Sequence, residues 1–102
     1  MAITVNIFAS EAFRIDPGQT DTNEVIYKLN PAQTYVMDCY VTSAGTASMK
    51  VMTDTTAPTD FTGMSIANDG TQTINFSRSI TGCSYAGLDI ASGTWTTRMR
   101  RV

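Results

Sequence analysis

The chain has 102 residues, 42% of them hydrophobic, and domains usually take about 100 to 150 residues, so its length predicts one domain over 1–102 and excludes two. Leu, Glu and Lys number two each against seventeen Thr and eight Ser, a composition of strands and loops rather than helices. The formal net charge is −2 and no histidine is present, which excludes His-based general acid–base catalysis, Ser-His and Cys-His nucleophiles and imidazole zinc sites.

Residues 3–9, Ile-Thr-Val-Asn-Ile-Phe-Ala, put apolar side chains at 3, 5, 7 and 9, with only Phe8 breaking the alternation. A helix starting at Ile3 would need apolar residues where Asn6 and Ser10 stand, so the spacing predicts a strand. Asp16-Pro17-Gly18 opens a polar loop through Asn23, and a second strand follows at about 24–29. Asn30-Pro31 ends it. Residues 34–42 read as a central strand with Tyr35, Met37, Cys39 and Val41 on the core face and Val36, Asp38, Tyr40 and Thr42 opposite; the reverse assignment would bury Asp38 without an evident partner.

Ser43-Ala44-Gly45 reads as a short hairpin connection to a returning strand with Ala47, Met49 and Val51 on one side and Ser48 and Lys50 on the other, and these two strands are expected to pair. Residues 54–60 form a loop without periodicity. Asn68-Asp69-Gly70 predicts a hairpin turn between strands at 61–67 and 72–80, because Asn, Asp and Gly tolerate positive φ; Ile74, Phe76 and Ile80 share one parity, with Arg78 the exception. Cys83 and Tyr85 are odd whereas Leu88 and Ile90 are even, a change of buried face that a β-bulge at Gly87 would repair. Ser92-Gly93 turns the chain into a last strand at 94–102, where Trp95, Thr97, Met99 and Arg101 oppose Thr96, Arg98, Arg100 and Val102. Seven to eight short strands with regular turn signals predict an all-β fold, an antiparallel β-sandwich or jelly-roll-like barrel with no substantial helix.

Three of the seven basic residues, Arg98, Arg100 and Arg101, lie in the last five positions, which leaves a mostly acidic body that offers no basic stripe for nucleic acid. Their plain reading is a solvated strand end and their sharper one an electrostatic foot for an acidic protein surface. Residues 1–6 lack the features of a secretory signal, and no run approaches the roughly 18 apolar residues of a membrane span, so a soluble protein made in a cytoplasm and without membrane contact is expected. Cys39 and Cys83 have no CxxC spacing; buried free thiols are the default, with a Cys39–Cys83 disulfide open outside the cell.

Gly82-Cys83-Ser84-Tyr85-Ala86-Gly87 has its second glycine one position too far for a nucleophile elbow, and Ser84 lacks a conventional base. Asp16, Asp21 and Glu24 cluster in one loop and Asp54 and Asp60 in another, in no EF-hand pattern; solvated turns are the default there, with calcium the sharper alternative and a carboxylate hydrolase the last. No catalytic, cofactor or metal residue is assigned. Tyr27, Tyr35, Tyr40, Tyr85 and Trp95 are core or interface anchors, or a sugar-stacking face, and Met52 and Met64, off the clean core pattern, suit adaptable contacts.

A strand beginning almost at Met1, Thr-rich hairpins, the Asn68-Asp69-Gly70 turn, scarce Lys and a C-terminal strand ending Arg98-Met99-Arg100-Arg101-Val102 give the chain a texture that resembles the small all-β accessory virion proteins of tailed bacteriophages, of capsid decoration or cement type. The resemblance implies a non-enzymatic virion subunit, made in the host cytoplasm, that binds the major capsid protein or other virion proteins and stabilises the lattice, as a homo-oligomer with a trimer favoured. Candidate interface residues are Trp95, Arg98, Arg100, Arg101, Tyr40 and Met52. The alternative is a carbohydrate-binding or host-recognition module whose aromatic face carries Trp95 or Tyr85.

Overall fold

A computed structural model describes residues 2–7 and 13–102, with backbone alone for 2–7 and Asp69. Among the described residues there are nine strands and no helix: β1 Ala2–Ile7, β2 Phe13–Gln19, β3 Asn23–Lys28, β4 Thr34–Val41, β5 Thr46–Met52, β6 Ser65–Gln72, β7 Phe76–Thr81, β8 Tyr85–Ser92 and β9 Trp95–Arg101. They form a sandwich of a five-stranded sheet, β1-β3-β8-β5-β6, and a four-stranded sheet, β2-β9-β4-β7. Every pairing is antiparallel except that of β1 with β3. The chain changes sheet at every connection but β5 to β6. Period-two alternation supplies the core: Tyr27, Ala47, Met49, Ala86, Leu88 and Ile90 from one sheet pack against Tyr35, Met37, Cys39, Ile80, Trp95 and Met99 from the other. Each large apolar side chain so buried stabilises the fold by about 1.5–3 kcal/mol.

Several sequence-based expectations need correction. The ninth strand is β2, where a polar loop was expected. It pairs with β9 as an edge, and a register shift between Asp16 and Gln19 absorbs Pro17 and Gly18. An edge position accepts a proline because the missing N–H leaves no ladder bond unmade. Of the strand expected at 3–9, residues 8 and 9 lie outside the described residues.

β4 and β5 do not pair. β4 lies between β7 and β9, β5 lies between β6 and β8, and the connection between them crosses from sheet to sheet. Gly45 makes the crossing possible, since a Cβ there would stand 2.5 Å from the Ser92 carbonyl oxygen and 2.9 Å from Gly93 Cα. Both strands bury a full apolar face, and each does so better with two neighbours than in a two-stranded ribbon.

Asn68-Asp69-Gly70 is no hairpin turn but lies within β6. Pairing with β5 stops at Lys50↔Ile66 and resumes at Ser48↔Thr71, so four residues of β6 stand against Met49. Positive φ at Asn68 (61°) and Gly70 (84°) is present as the residue types require, and it shapes a bulge. Phe61 and Met64, expected in a strand, sit in the preceding loop, and Ile74 is exposed between β6 and β7.

Gly87 pairs regularly with both Ile26 and Lys50, and the irregularity of the β5–β8 ladder falls at Thr46/Ala47 instead. The parity change has another cause: β8 is buried on both faces. Ala86, Leu88 and Ile90 enter the main core, while Tyr85 faces the opposite way into a second cluster with Ile26, Phe61 and Met64. The loop between β5 and β6 thus covers the outer face of the five-stranded sheet around Ile26 and Tyr85, while Ile66 on β6 stays 48% exposed on that face. Gly87 lets the cap lie close, since a Cβ would come within 3.1 Å of Phe61 Cε1 and 3.0 Å of the Val25 carbonyl oxygen.

Candidate functional site

The two faces of the sandwich differ in kind, and the difference starts at β2. Its sequence Phe13-Arg14-Ile15-Asp16 alternates, yet the charged pair points into the sandwich and the apolar pair points out. The inward side is stabilised by a directional hydrogen-bond chain. Arg14 Nε donates to Asp16 Oδ2 (3.0 Å), which also accepts from the Tyr27 hydroxyl (2.5 Å). Tyr27 shares a 2.7 Å bond with Thr97 Oγ1, which accepts from Gln19 Nε2 (2.7 Å). The Gln19 side-chain oxygen accepts from the Val25 N–H (3.1 Å), so the network ties β2, β9 and β3 together across the two sheets. Burial first, then the Asp16 hydrogen bond, raises the Tyr27 phenol far above its ordinary range and keeps it a neutral donor.

The outward side of the same strand exposes Phe13 (49%) and Ile15 (50%), and β4 adds Tyr40 (41%). Register aligns two rows across all four strands: Ile15, Arg98, Asp38, Ser77 and Phe13, Arg100, Val36, Ser79. Asp38 is the hub. Its Oδ2 accepts from Arg98 Nε (2.9 Å) and Nη2 (2.7 Å) and from Arg100 Nε (3.4 Å), and its Oδ1 accepts a short bond from the Ser77 hydroxyl. Burial alone would raise this carboxyl, but the hydrogen bonds from Ser77 and Arg98 outweigh it and hold it below the usual carboxylate range. The Arg98 guanidinium also lies 5.9 Å from the Phe13 ring centroid. Five N–H donors per guanidinium exceed what one carboxylate engages, so the cluster offers fixed cationic donors flanked by apolar side chains.

Of the candidate interface residues, the structure brings Tyr40, Arg98 and Arg100 onto this face and places Arg101 exposed at the end of the same β9 strand. Trp95 is fully buried, its Nε1–H donating to the Ser92 carbonyl at 3.0 Å, and Tyr85 is 2% exposed. Neither can stack on a sugar. Met52 is half-buried against the cap cluster of the other sheet. Phe13, Ile15, Val36 and Asp38 were not among the interface candidates, although Val36 and Asp38 were expected, and are found, on the outward side of β4. The Phe-Arg-Ile-Asp alternation was the available signal, but its usual reading puts the apolar pair inside.

The remaining sequence candidates are structural. Ser84 is buried and its hydroxyl donates to the Thr53 carbonyl at 3.2 Å. Asp54 and Asp60 accept from the Thr56 and Thr62 N–H groups in Asx turns, as expected of solvated loops. A shallow depression of about 270 Å³ is lined by Asp60, Phe61, Thr62 and Asp89. Among the described residues no three His, Cys, Asp or Glu side chains gather closely enough to hold a metal ion, and no helix is long and apolar enough to cross a membrane. Both cysteines are free thiols; burial pushes Cys39 up to about 12 and raises Cys83.

No protein-family model and no curated protein matches the chain in sequence. Solved structures match in shape along nearly the whole length. PliG of Aeromonas hydrophila, a periplasmic lysozyme inhibitor of g-type lysozyme, is 14% identical over 99% of this chain and 98% of its own, with a TM-score of 0.47. CorA of Methylomicrobium album BG8, a surface-associated copper-binding protein important in copper acquisition, is 7% identical over 99% of each chain, with a TM-score of 0.55. At 7% identity the likeness to CorA reaches the fold and stops short of the site.

Proposed function

We propose that the chain is a non-enzymatic structural binding protein that docks on an assembled protein lattice through the outer face of the β2-β9-β4-β7 sheet. The observation that carries this reading is the inverted edge strand. β2 turns Arg14 and Asp16 inward and leaves Phe13 and Ile15 half-exposed beside Arg98 and Arg100, while the opposite sheet is covered by its own loop around Ile26 and Tyr85 and exposes Ile66 at its β6 edge. A sheet that exposes large apolar side chains next to ordered guanidinium groups suits a partner surface carrying carboxylates among apolar groups. Three of the four strand edges offer less. β2 is broken by Pro17 and a register shift, β6 is bulged, and β7 turns Arg78 toward the interior, all of which discourage strand addition there.

The capsid decoration or cement role, with the major capsid protein or another virion protein as partner and the virion as location, is the form of this reading that the sequence texture supports. On a lattice, many modest interfaces at high effective concentration hold each copy, and a closed homo-oligomer such as a trimer multiplies that effect. Against catalysis stand the absence of histidine, the Ser84 hydroxyl donating to a carbonyl, and thiols raised rather than activated. The test adds purified protein to capsids that lack it and measures retention after sedimentation and resistance to heat. Retention with raised heat resistance is expected; no retention on any assembled particle contradicts the proposal.

A further inference from the structure

The Glu24 side chain is 0% exposed, on the side of β3 that also carries Ile26. Its Oε2 accepts a 2.6 Å hydrogen bond from the Ile90 backbone N–H, and its Oε1 is buried with no hydrogen-bond partner among the described residues. The β3–β8 ladder runs only from Lys28↔Tyr85 to Ile26↔Gly87. Beyond its end, the Glu24 carboxyl replaces strand backbone in satisfying β8, so the closure of this seam depends on a side chain that titrates.

The charges around it oppose ionisation. Asp89 stands next to the bonded Ile90 on β8, and Asp21 lies in the turn between β2 and β3. Lys28, on the same strand, is exposed to solvent. Burial is the main cause that pushes the carboxyl up to about 7; the Ile90 N–H pulls it down, Asp89 and Asp21 push it further up, and the amino-terminal charge works against them.

We propose that Glu24 is a pH-sensitive latch, closing the β3–β8 seam while its carboxyl is neutral and loosening it when a buried negative charge forms beside Asp89 and Asp21. The neutral acid fits the site, with one oxygen accepting from Ile90 and the other carrying little charge. The carboxylate leaves a charged oxygen without a donor, a costly state that local opening and entry of water relieve. The direction follows from linkage. Because the folded value lies above that of an unfolded Glu, the stability contributed is complete below about 4.5 and is lost as pH rises through about 7. The latch belongs to the five-stranded sheet and does not depend on what the opposite face binds.

The test has two arms. In the first, the Glu24 carboxyl of the intact protein is titrated by carbon-13 NMR, and a midpoint within about one unit of 7 is expected, whereas one in the ordinary range near 4.5 overturns the proposal. In the second, protection of the Ile90 amide from hydrogen exchange is compared at about pH 5 and about pH 8 in the parent and in Glu24→Gln. The parent is expected to lose roughly tenfold or more of its protection at the higher pH, and the variant to lose far less. Equal losses in both proteins assign the effect to another group, such as the amino terminus, and overturn the latch. The first arm uses the parent alone and holds even if the variant folds poorly.

Discussion

The Asp38 carboxylate accepts from Ser77, Arg98 and Arg100 on the two strands that flank it, so one side chain fixes the geometry of both outward arginines. Asp38→Asn keeps the shape and removes the charge. It is expected to cost about 1–2 kcal/mol in denaturant unfolding at neutral pH, within the range for charge-assisted bonds that stay partly wet. The folded carboxyl sits below its ordinary value, so its contribution is present above about pH 4 and disappears as pH falls through the folded value. Unfolding curves of the variant are therefore expected to change less than those of the parent over that acid range. Trp95 is a different kind of residue. With its ring at 0% exposure and in edge contact with Phe76, Trp95→Ala is expected to cost about 3–5 kcal/mol in the same measurement, the penalty of a core cavity.

At the level of elements, glycines without positive φ decide how closely segments approach. A Cβ at Gly45 meets backbone atoms of Ser92 and Gly93 that cannot step aside, so Gly45→Ala is expected to lower stability by about 2 kcal/mol or more in thermal unfolding. At Gly87 the nearest atoms include the Phe61 side-chain ring as well as the Val25 carbonyl, and Gly87→Ala is expected to cost about 1–2 kcal/mol and to loosen the cap loop, seen as faster proteolysis within 53–64. These two positions also show why the sequence was only partly legible. The core faces of β4 and β9 followed from alternation, since Tyr35, Met37 and Cys39 and then Trp95, Thr97 and Met99 are all buried. Pairing did not follow. Ser43-Ala44-Gly45 has the chemistry of a hairpin, but the same residues serve a sheet-to-sheet crossing, and only the remote 92–93 segment distinguishes the two. Asn68 and Gly70 likewise specify positive φ, a requirement that turns and bulges share. The bare face was half legible. Arg98, Arg100 and Tyr40 were visible as candidates, whereas Phe13 and Ile15 face outward because Asp16 bonds Tyr27 from the other sheet, a contact between segments that local pattern does not encode.

Across the whole molecule, a body with more acids than bases carries its last three arginines on or beside one uncapped sheet, and the opposite sheet is partly covered by Phe61 and Met64. That polarity is what the docking reading explains, and it distinguishes the two faces experimentally. The most direct measurement compares retention on assembled particles for the parent, for Ile15→Asp combined with Arg100→Glu, and for Lys50→Glu on β5 of the opposite, five-stranded sheet, with folding of each checked by circular dichroism. The bare-face variant is expected to lose at least tenfold in retention and the Lys50 variant to match the parent. Retention unchanged in the first, or lost equally in both, contradicts the assignment of the β2-β9-β4-β7 face as the docking surface.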